Sequence, residues 1–329
     1  MGAGFATGQE LLQFFVYFGS EGLWGIMLAA SLLGVFAYSV LDISRRLGAT
    51  SYRDVVRHAA GDAVGSGVDY LIAFFLFGGL VSMVAGCGAV MGEQFGWDQF
   101  TGAAIMAVLA AATVLLGLQG IVDSMTFLVP FMFVGIVAMG FASALATGYF
   151  FKPLLWMNPA SAPVPFWPLS AIVYASYNLV LTLAVLAPMG ANTASSEHAA
   201  MGAAMGGAAL GAAAIGGYMA ITSRLPEVVA YEVPMMFVAR AFGPLVSTAY
   251  AVVIIVSIYT TAISVLYGFA SRLSPDTGPV RIAFILATST AALMLASLGF
   301  ANVVRVLYPS VGVAGMILLA SLAFAMFRR

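Results

Sequence analysis

Long apolar runs separated by polar or Pro/Gly-rich breaks fill almost the whole chain, and each run reads as a helix. Ten are predicted, at approximately 1–18, 22–41, 64–91, 101–119, 124–148, 167–189, 199–220, 244–271, 279–297 and 300–327. A membrane span needs about 20 predominantly apolar residues. The first run falls short of this and begins in mid-pattern at Met1, so a first span truncated at its amino end is expected.

The polar breaks carry a directional signal. With the amino terminus inside, Arg45, Arg46, Arg53, Arg57, Arg272, Arg281, Arg328 and Arg329 fall on the cytoplasmic side, while Lys152, Arg224 and Arg240 fall outside. Basic residues accumulate on cytoplasmic loops, so both termini are expected in the cytoplasm and the chain in the cell's inner membrane. The amino terminus has neither the basic stretch nor the cleavage-type ending of a signal peptide.

Pro153, Pro159, Pro163, Pro165 and Pro168 crowd the break around 149–166 and divide the chain into 1–148 and 167–329, five spans each. An odd number of spans per half makes the second half enter from the opposite side. The two halves are therefore read as an inverted repeat, a common plan of secondary transporters.

Composition agrees with an all-α polytopic membrane protein. Hydrophobic residues make up 62% of 329, against 12 basic and 13 acidic residues; soluble domains are about 45–50% apolar and about 25% charged. The net charge of −1 implies no nucleic-acid partner. The single Cys87 rules out an internal disulfide and reads as a packing residue. His58 and His198 lie far apart, no HExxH-type motif occurs, and neither a metal site nor an enzyme is expected.

The first span of each half carries a helix-breaking stretch in the corresponding place, which points to a midplane site. One is Gly2-Ala3-Gly4-Phe5-Ala6-Thr7-Gly8 followed by Gln9 and Glu10; the other is Tyr174-Ala175-Ser176-Tyr177-Asn178, with Pro188 and Gly190 closing the span. The glycines let backbone groups point into a cavity, and the amides of a half-helix amino terminus suit a substrate carboxylate. Close helix packing is the plainer reading of the same glycines. Glu10, an acidic residue in an apolar helix, is a functional candidate by default. It can neutralise a substrate ammonium, bind a cation, carry a proton, or simply cap the helix. Gln9 and Gln13 extend the polar lining, and Ser176, Tyr177 and Asn178 offer hydroxyl and amide groups. Tyr174 and Tyr177 can face a cationic amine with their rings.

The segments GAGFATGQELLQFF at 2–15 and YASYNLVLTLAVLAPMG at 174–190 resemble the YkvI-like bacterial membrane proteins, a branch of the amino acid, polyamine and organocation superfamily with the LeuT-type fold. The resemblance runs over the whole chain. It implies five plus five inverted spans, with spans 1 and 6 unwound at mid-membrane around a small solute held by Gly2, Ala3, Gly4, Phe5, Glu10, Tyr174, Ser176, Tyr177 and Asn178. Relatives carry a further helical stretch ahead of the Gly-Ala-Gly motif. In sodium-coupled relatives a hydroxyl pair on span 8 helps bind the ion; Thr260 and Thr261 match it, with Ser257 one turn earlier. Oxygen ligands suit that hard cation.

Arg305 is the basic residue inside a span and should find Glu93, Asp123 or Glu10 if buried; it is placed with Gln13 at a gate. Residues 226–242, with Pro226, Glu227, Glu232, Pro234 and Arg240, are expected to form an extracellular helical hairpin acting as a lid. The expected function is secondary transport of a small amino acid or related amine, with sodium as the coupling ion. The alternative is a sensor that keeps a transporter fold without transport.

Overall fold

A computed structural model describes residues 3–49, 52–116, 121–148, 158–274 and 278–327, the side chains of 3, 64, 121–132, 184 and 327 excepted, and is nearly all helical. The helices are α1 (Ala3–Thr7), α2 (Gln9–Phe14), α3 (Glu21–Leu47), α4 (Tyr52–Phe95), α5 (Gln99–Leu116), α6 (Ile121–Thr147), α7 (Trp167–Ala191), α8 (Ser196–Thr222), α9 (Pro234–Arg240), α10 (Pro244–Leu273), α11 (Pro279–Ala296) and α12 (Phe300–Phe327). Among the described residues seven helices are long and apolar enough to cross a bilayer, and α7 would make an eighth as a bent pair.

Three local features depart from the sequence reading. The first segment is interrupted at Gly8, with residues 3–7 already helical, and again at Phe15, after which Val16–Phe18 forms a 3-10 turn. Gly8 sits at φ 81°, a left-handed conformation that glycine adopts without penalty. A Cβ there would lie 2.7 Å from Met235 Cγ.

In α7 the expected break at Tyr174–Asn178 is helical. The helix bends instead by 60° between Trp167–Leu183 and Val185–Ala191. Pro188 explains the position, because it has no N–H for the carbonyl four residues back and its ring clashes with that carbonyl.

The third departure is a helical stretch at 52–60 ahead of the predicted third span, turning into it at Gly61 (φ 82°). Val55 and Val56 are fully buried while Arg53, Asp54, Arg57 and His58 are exposed, an amphipathic pattern that was readable in the sequence.

Every residue from Gly4 to Gly19 is buried, so α1 and α2 form the innermost element. They are walled by α10, α9 and α4 on the α1 side and by α8, α7 and α12 on the α2 side. In a bilayer, irregular backbone survives only where protein satisfies its polar groups. That condition is met here: Tyr250 donates to the carbonyl of Ala6 at 2.7 Å and Ser170 to that of Phe14 at 2.9 Å. Around this centre α3 packs on α8, α4 on α10 and α5 on α11. The glycines of α8 serve close approach, as the sequence suggested: a Cβ on Gly207 would lie 2.9 Å from the carbonyl oxygen of Ala30 on α3.

At one end of the bundle Asp69 of α4 pairs with Arg53 at 2.8 Å and with Arg272 of α10 at 3.4 Å. Of the predicted linker, 149–157 lie outside the described residues; Asn158 then bonds to the carbonyl of Tyr17 at 2.9 Å, and a single 3-10 turn at Pro159–Ser161 precedes α7.

Candidate substrate site around Glu10

The interruption at Gly8 starts α2 one residue before Glu10, and so fixes where that carboxylate points. Glu10 is 5% exposed. Its Oε2 accepts a hydrogen bond from the Tyr177 hydroxyl at 2.5 Å, joining α2 to α7. Its Oε1 fills the space over Gly4, where a Cβ would collide with it, and the same space is reached by the Tyr308 hydroxyl at 3.2 Å. Tyr308 also shares a 3.4 Å hydrogen bond with Ser82 of α4. Among the described residues no Lys, Arg or His forms an ion pair with Glu10.

Rings surround the tyrosine that binds the carboxylate. Tyr177 lies 5.1 Å from Tyr308, 5.3 Å from Tyr174, 5.6 Å from Phe14 and 6.2 Å from Phe75, centroid to centroid. Aromatic faces are electron-rich and attract cations. An acid bonded to the tyrosine at the centre of this ring cluster is therefore a setting for a positive group.

Of the residues the sequence placed in the site, Gly4, Glu10, Tyr174 and Tyr177 come together. Phe5 is buried in the surrounding core. Gly2 lies outside the described residues, as does the side chain of Ala3. Ser176 turns the other way, toward α12, where a Cβ on Gly315 would lie 2.6 Å from its Oγ. Asn178 donates to the carbonyl of Tyr174 at 2.9 Å and lines an apolar groove between α3, α7 and α8. Helical geometry separates these neighbours: in the unbroken α7, residues 174 and 177 share the inner face, whereas 176 points about 100° per residue away from each neighbour.

On α10, the hydroxyls of Thr260 and Thr261 both donate to the carbonyl of Ser257, at 3.0 and 2.8 Å. Their protons are used within the helix and their lone pairs are left for another partner. Gln13 donates to the carbonyl of Ala301 at 3.0 Å, tying α2 to α12, while its Oε1 and that of Gln9 are buried without a partner. Arg305 is exposed on α12 and forms no ion pair with Glu10 or Glu93 among the described residues. The side chain of Asp123 lies outside them. Sequence reasoning missed Tyr308, Ser82, Phe75 and Tyr250; a tyrosine beside Pro309 inside an apolar span was the one available signal.

The segment 226–242 forms a 3-10 turn at Glu227–Ala230 and then α9. Val233, Met235, Met236, Val238 and Ala239 are fully buried. Two carboxylates pin it. Glu93, at the end of α4, accepts from the backbone N–H groups of Glu232 at 2.7 Å and Val233 at 3.4 Å, and its own carbonyl accepts from Arg240. Glu232 in turn accepts from the N–H groups of Phe300 at 2.6 Å and Ala301 at 3.3 Å, capping the start of α12.

This arrangement, a bundle built around an interrupted first helix, is the fold of LeuT-type transporters. The chain is similar to the structure of MhsT in complex with L-phenylalanine (TM-score 0.60, 18% identity, 95% of this chain and 87% of that one). It is likewise similar to the inward-facing conformation of Mhp1 (TM-score 0.61, 13% identity, 99% and 74%) and to a manganese transporter of Eremococcus coleocola (TM-score 0.58, 13% identity, 95% and 72%). In sequence it is a homologue of the membrane protein YkvI of Bacillus subtilis, 28% identical over 327 residues that cover 98% of this chain and 91% of YkvI. It is also 25% identical to YyaD of the same organism over 322 residues, 98% and 92% of the two chains. No protein-family profile matches the chain.

Proposed function

We propose that the protein is a secondary transporter that moves a small amino acid or related amine by alternating access. One observation carries this reading: in a transporter fold, a buried acid without a cationic partner among the described residues stands beside the helix interruption at Gly8, bonded to Tyr177 at the centre of a cluster with Tyr174, Tyr308, Phe14 and Phe75. The neighbours of Glu10 are hydroxyls and rings rather than further carboxylates, which favours an organic ammonium over a metal ion as its ligand. α2 has six residues, too few aligned peptides for a strong dipole, so the ammonium end of the substrate is the end this site would recognise.

In this reading ten spans form two inverted five-span repeats, 1–148 and 167–329, joined by 149–166. The facing of α3 with α8, α4 with α10 and α5 with α11 supports it, because these are the equivalent helices of the two halves. Both termini are cytoplasmic in the inner membrane, and the segment 226–242 is the outer lid. Sodium is the coupling ion, held by Ser257, Thr260 and Thr261. Counterflow of labelled amino acids and amines in proteoliposomes, with sodium or potassium outside, tests the reading. Saturable exchange that needs sodium is the expected result; no exchange of any compound in the panel overturns it.

A further inference from the structure

Glu10 cannot be at ease as a bare carboxylate in this surrounding. Among the described residues its hydrogen-bond donor is the Tyr177 hydroxyl, and burial of an ionised group without a counter-charge is costly. Among the described residues the titratable groups that act on it are Tyr174 and Tyr177 from α7 and Tyr308 from α12. From α4 it is approached by Ser82, through Tyr308, and by the ring of Phe75; from α10, Tyr250 is engaged with the carbonyl of Ala6. None of the side chains in this shell is a base.

The same shell is well suited to a cation. The cluster of tyrosine and phenylalanine rings about Tyr177, with the carboxylate bonded to it, can replace the water around a quaternary or protonated amine. The site is thus neutral in two ways: with a proton on the carboxylate, or with an organic cation beside it. We propose that Glu10 is shared by these two occupants in turn, so that entry of an organic cation drives one proton off the carboxyl group, and the protein exchanges cation for proton. The O–H bond of Glu10 breaks, its proton passes to water, and the carboxylate left behind pairs with the arriving charge. This inference rests on the transport reading above and adds to it the cationic class of substrate and the proton as counter-substrate.

Choline is a suitable probe because its quaternary charge brings no proton of its own, and 3,3-dimethylbutanol is its neutral isostere. Calorimetric titration of the detergent-purified protein in buffers of different ionisation heat counts the protons released. About one per choline bound is expected, with an apparent affinity that rises by up to about tenfold per pH unit while Glu10 holds its proton. Glu10→Gln should lose choline binding and the proton release together, with binding of the alcohol retained. Tyr177→Phe removes the hydrogen bond but keeps the ring, and should move the pH profile of choline binding upward, a change that loss of packing alone would not produce. Choline binding with no proton release overturns the proposal, as does undiminished binding by Glu10→Gln or the absence of any choline binding. In each of those cases saturable, sodium-dependent amino-acid counterflow would leave the transport reading standing.

Discussion

The segment 226–242 and the centre of the bundle both hold carboxylates among packed helices, and they satisfy them differently. At the segment 226–242, Glu93 and Glu232 each accept two backbone N–H groups, so both charges are spread over fixed dipoles that belong to the fold. At the centre, Glu10 has a single hydroxyl. The first arrangement does what a cap does, fixing α9 against α4 and α12 through Oε1 of Glu93 and Oε2 of Glu232. The second has no cationic partner among the described residues, and a buried acid without a counter-charge is where a ligand has something to contribute.

The largest effect that would test this contrast is on binding. Glu10→Ala should weaken binding of any substrate amine by about a hundredfold or more, since it removes one side of a desolvated charge pair. Its thermal stability should be unchanged or raised, because an incompletely satisfied buried charge contributes little to folding. Isothermal titration alongside a melting curve checks both. A large fall in melting temperature would show that Glu10 is structural after all, and the contrast with Glu93 and Glu232 would be lost.

Next in size is Gly4→Ala. The added Cβ meets the Glu10 carboxylate and lies 3.2 Å from the Tyr308 hydroxyl, so overpacking of about 1–3 kcal/mol falls on the site itself. Binding should drop, and the double variant Gly4→Ala with Glu10→Ala should recover stability relative to Gly4→Ala. No recovery in the melting curve would place the clash elsewhere.

Glu232→Ala probes the other region. It uncaps α12 and frees α9, with a loss of about 1–2 kcal/mol in stability, and its effect on affinity should be smaller than its effect on stability. Denaturant or thermal unfolding in detergent reads the first and titration the second. If affinity falls as far as in Glu10→Ala, the segment 226–242 and the centre act as one unit.

Most of the helices were legible in the sequence because the period and length of apolar runs are set by the bilayer, not by tertiary detail; the predicted spans at 22–41, 167–189, 244–271 and 300–327 each lie within a helix of the structure. The interruption in the first segment was legible in kind, since Gly8 is the residue that can take φ 81°. The one in α7 was misplaced, because Tyr174–Asn178 looks polar enough to unwind, whereas the bend follows the backbone chemistry of Pro188. The site was half legible for a related reason. Glu10 and Tyr177 are conspicuous in apolar runs, but Tyr308 and Phe75 join the ring cluster about Tyr177 only through the packing of α12 and α4, which no local pattern encodes.

Ser176 gives the smallest and most discriminating prediction. By sequence it belongs with Tyr177 and Asn178 in the site; in the structure it faces Gly315 of α12, and its buried hydroxyl has no partner. An unpartnered buried hydroxyl is unfavourable, and replacing it by a methyl group keeps the contact with the glycine. Ser176→Ala should therefore raise stability by up to about 1 kcal/mol and leave amine binding as it was, the opposite of what a ligand-contacting serine would do. A melting curve and one titration decide it. Lost binding would mean that α7 turns Ser176 inward during the transport cycle, so that the unwinding expected at 174–178 belongs to another conformation of the same helix.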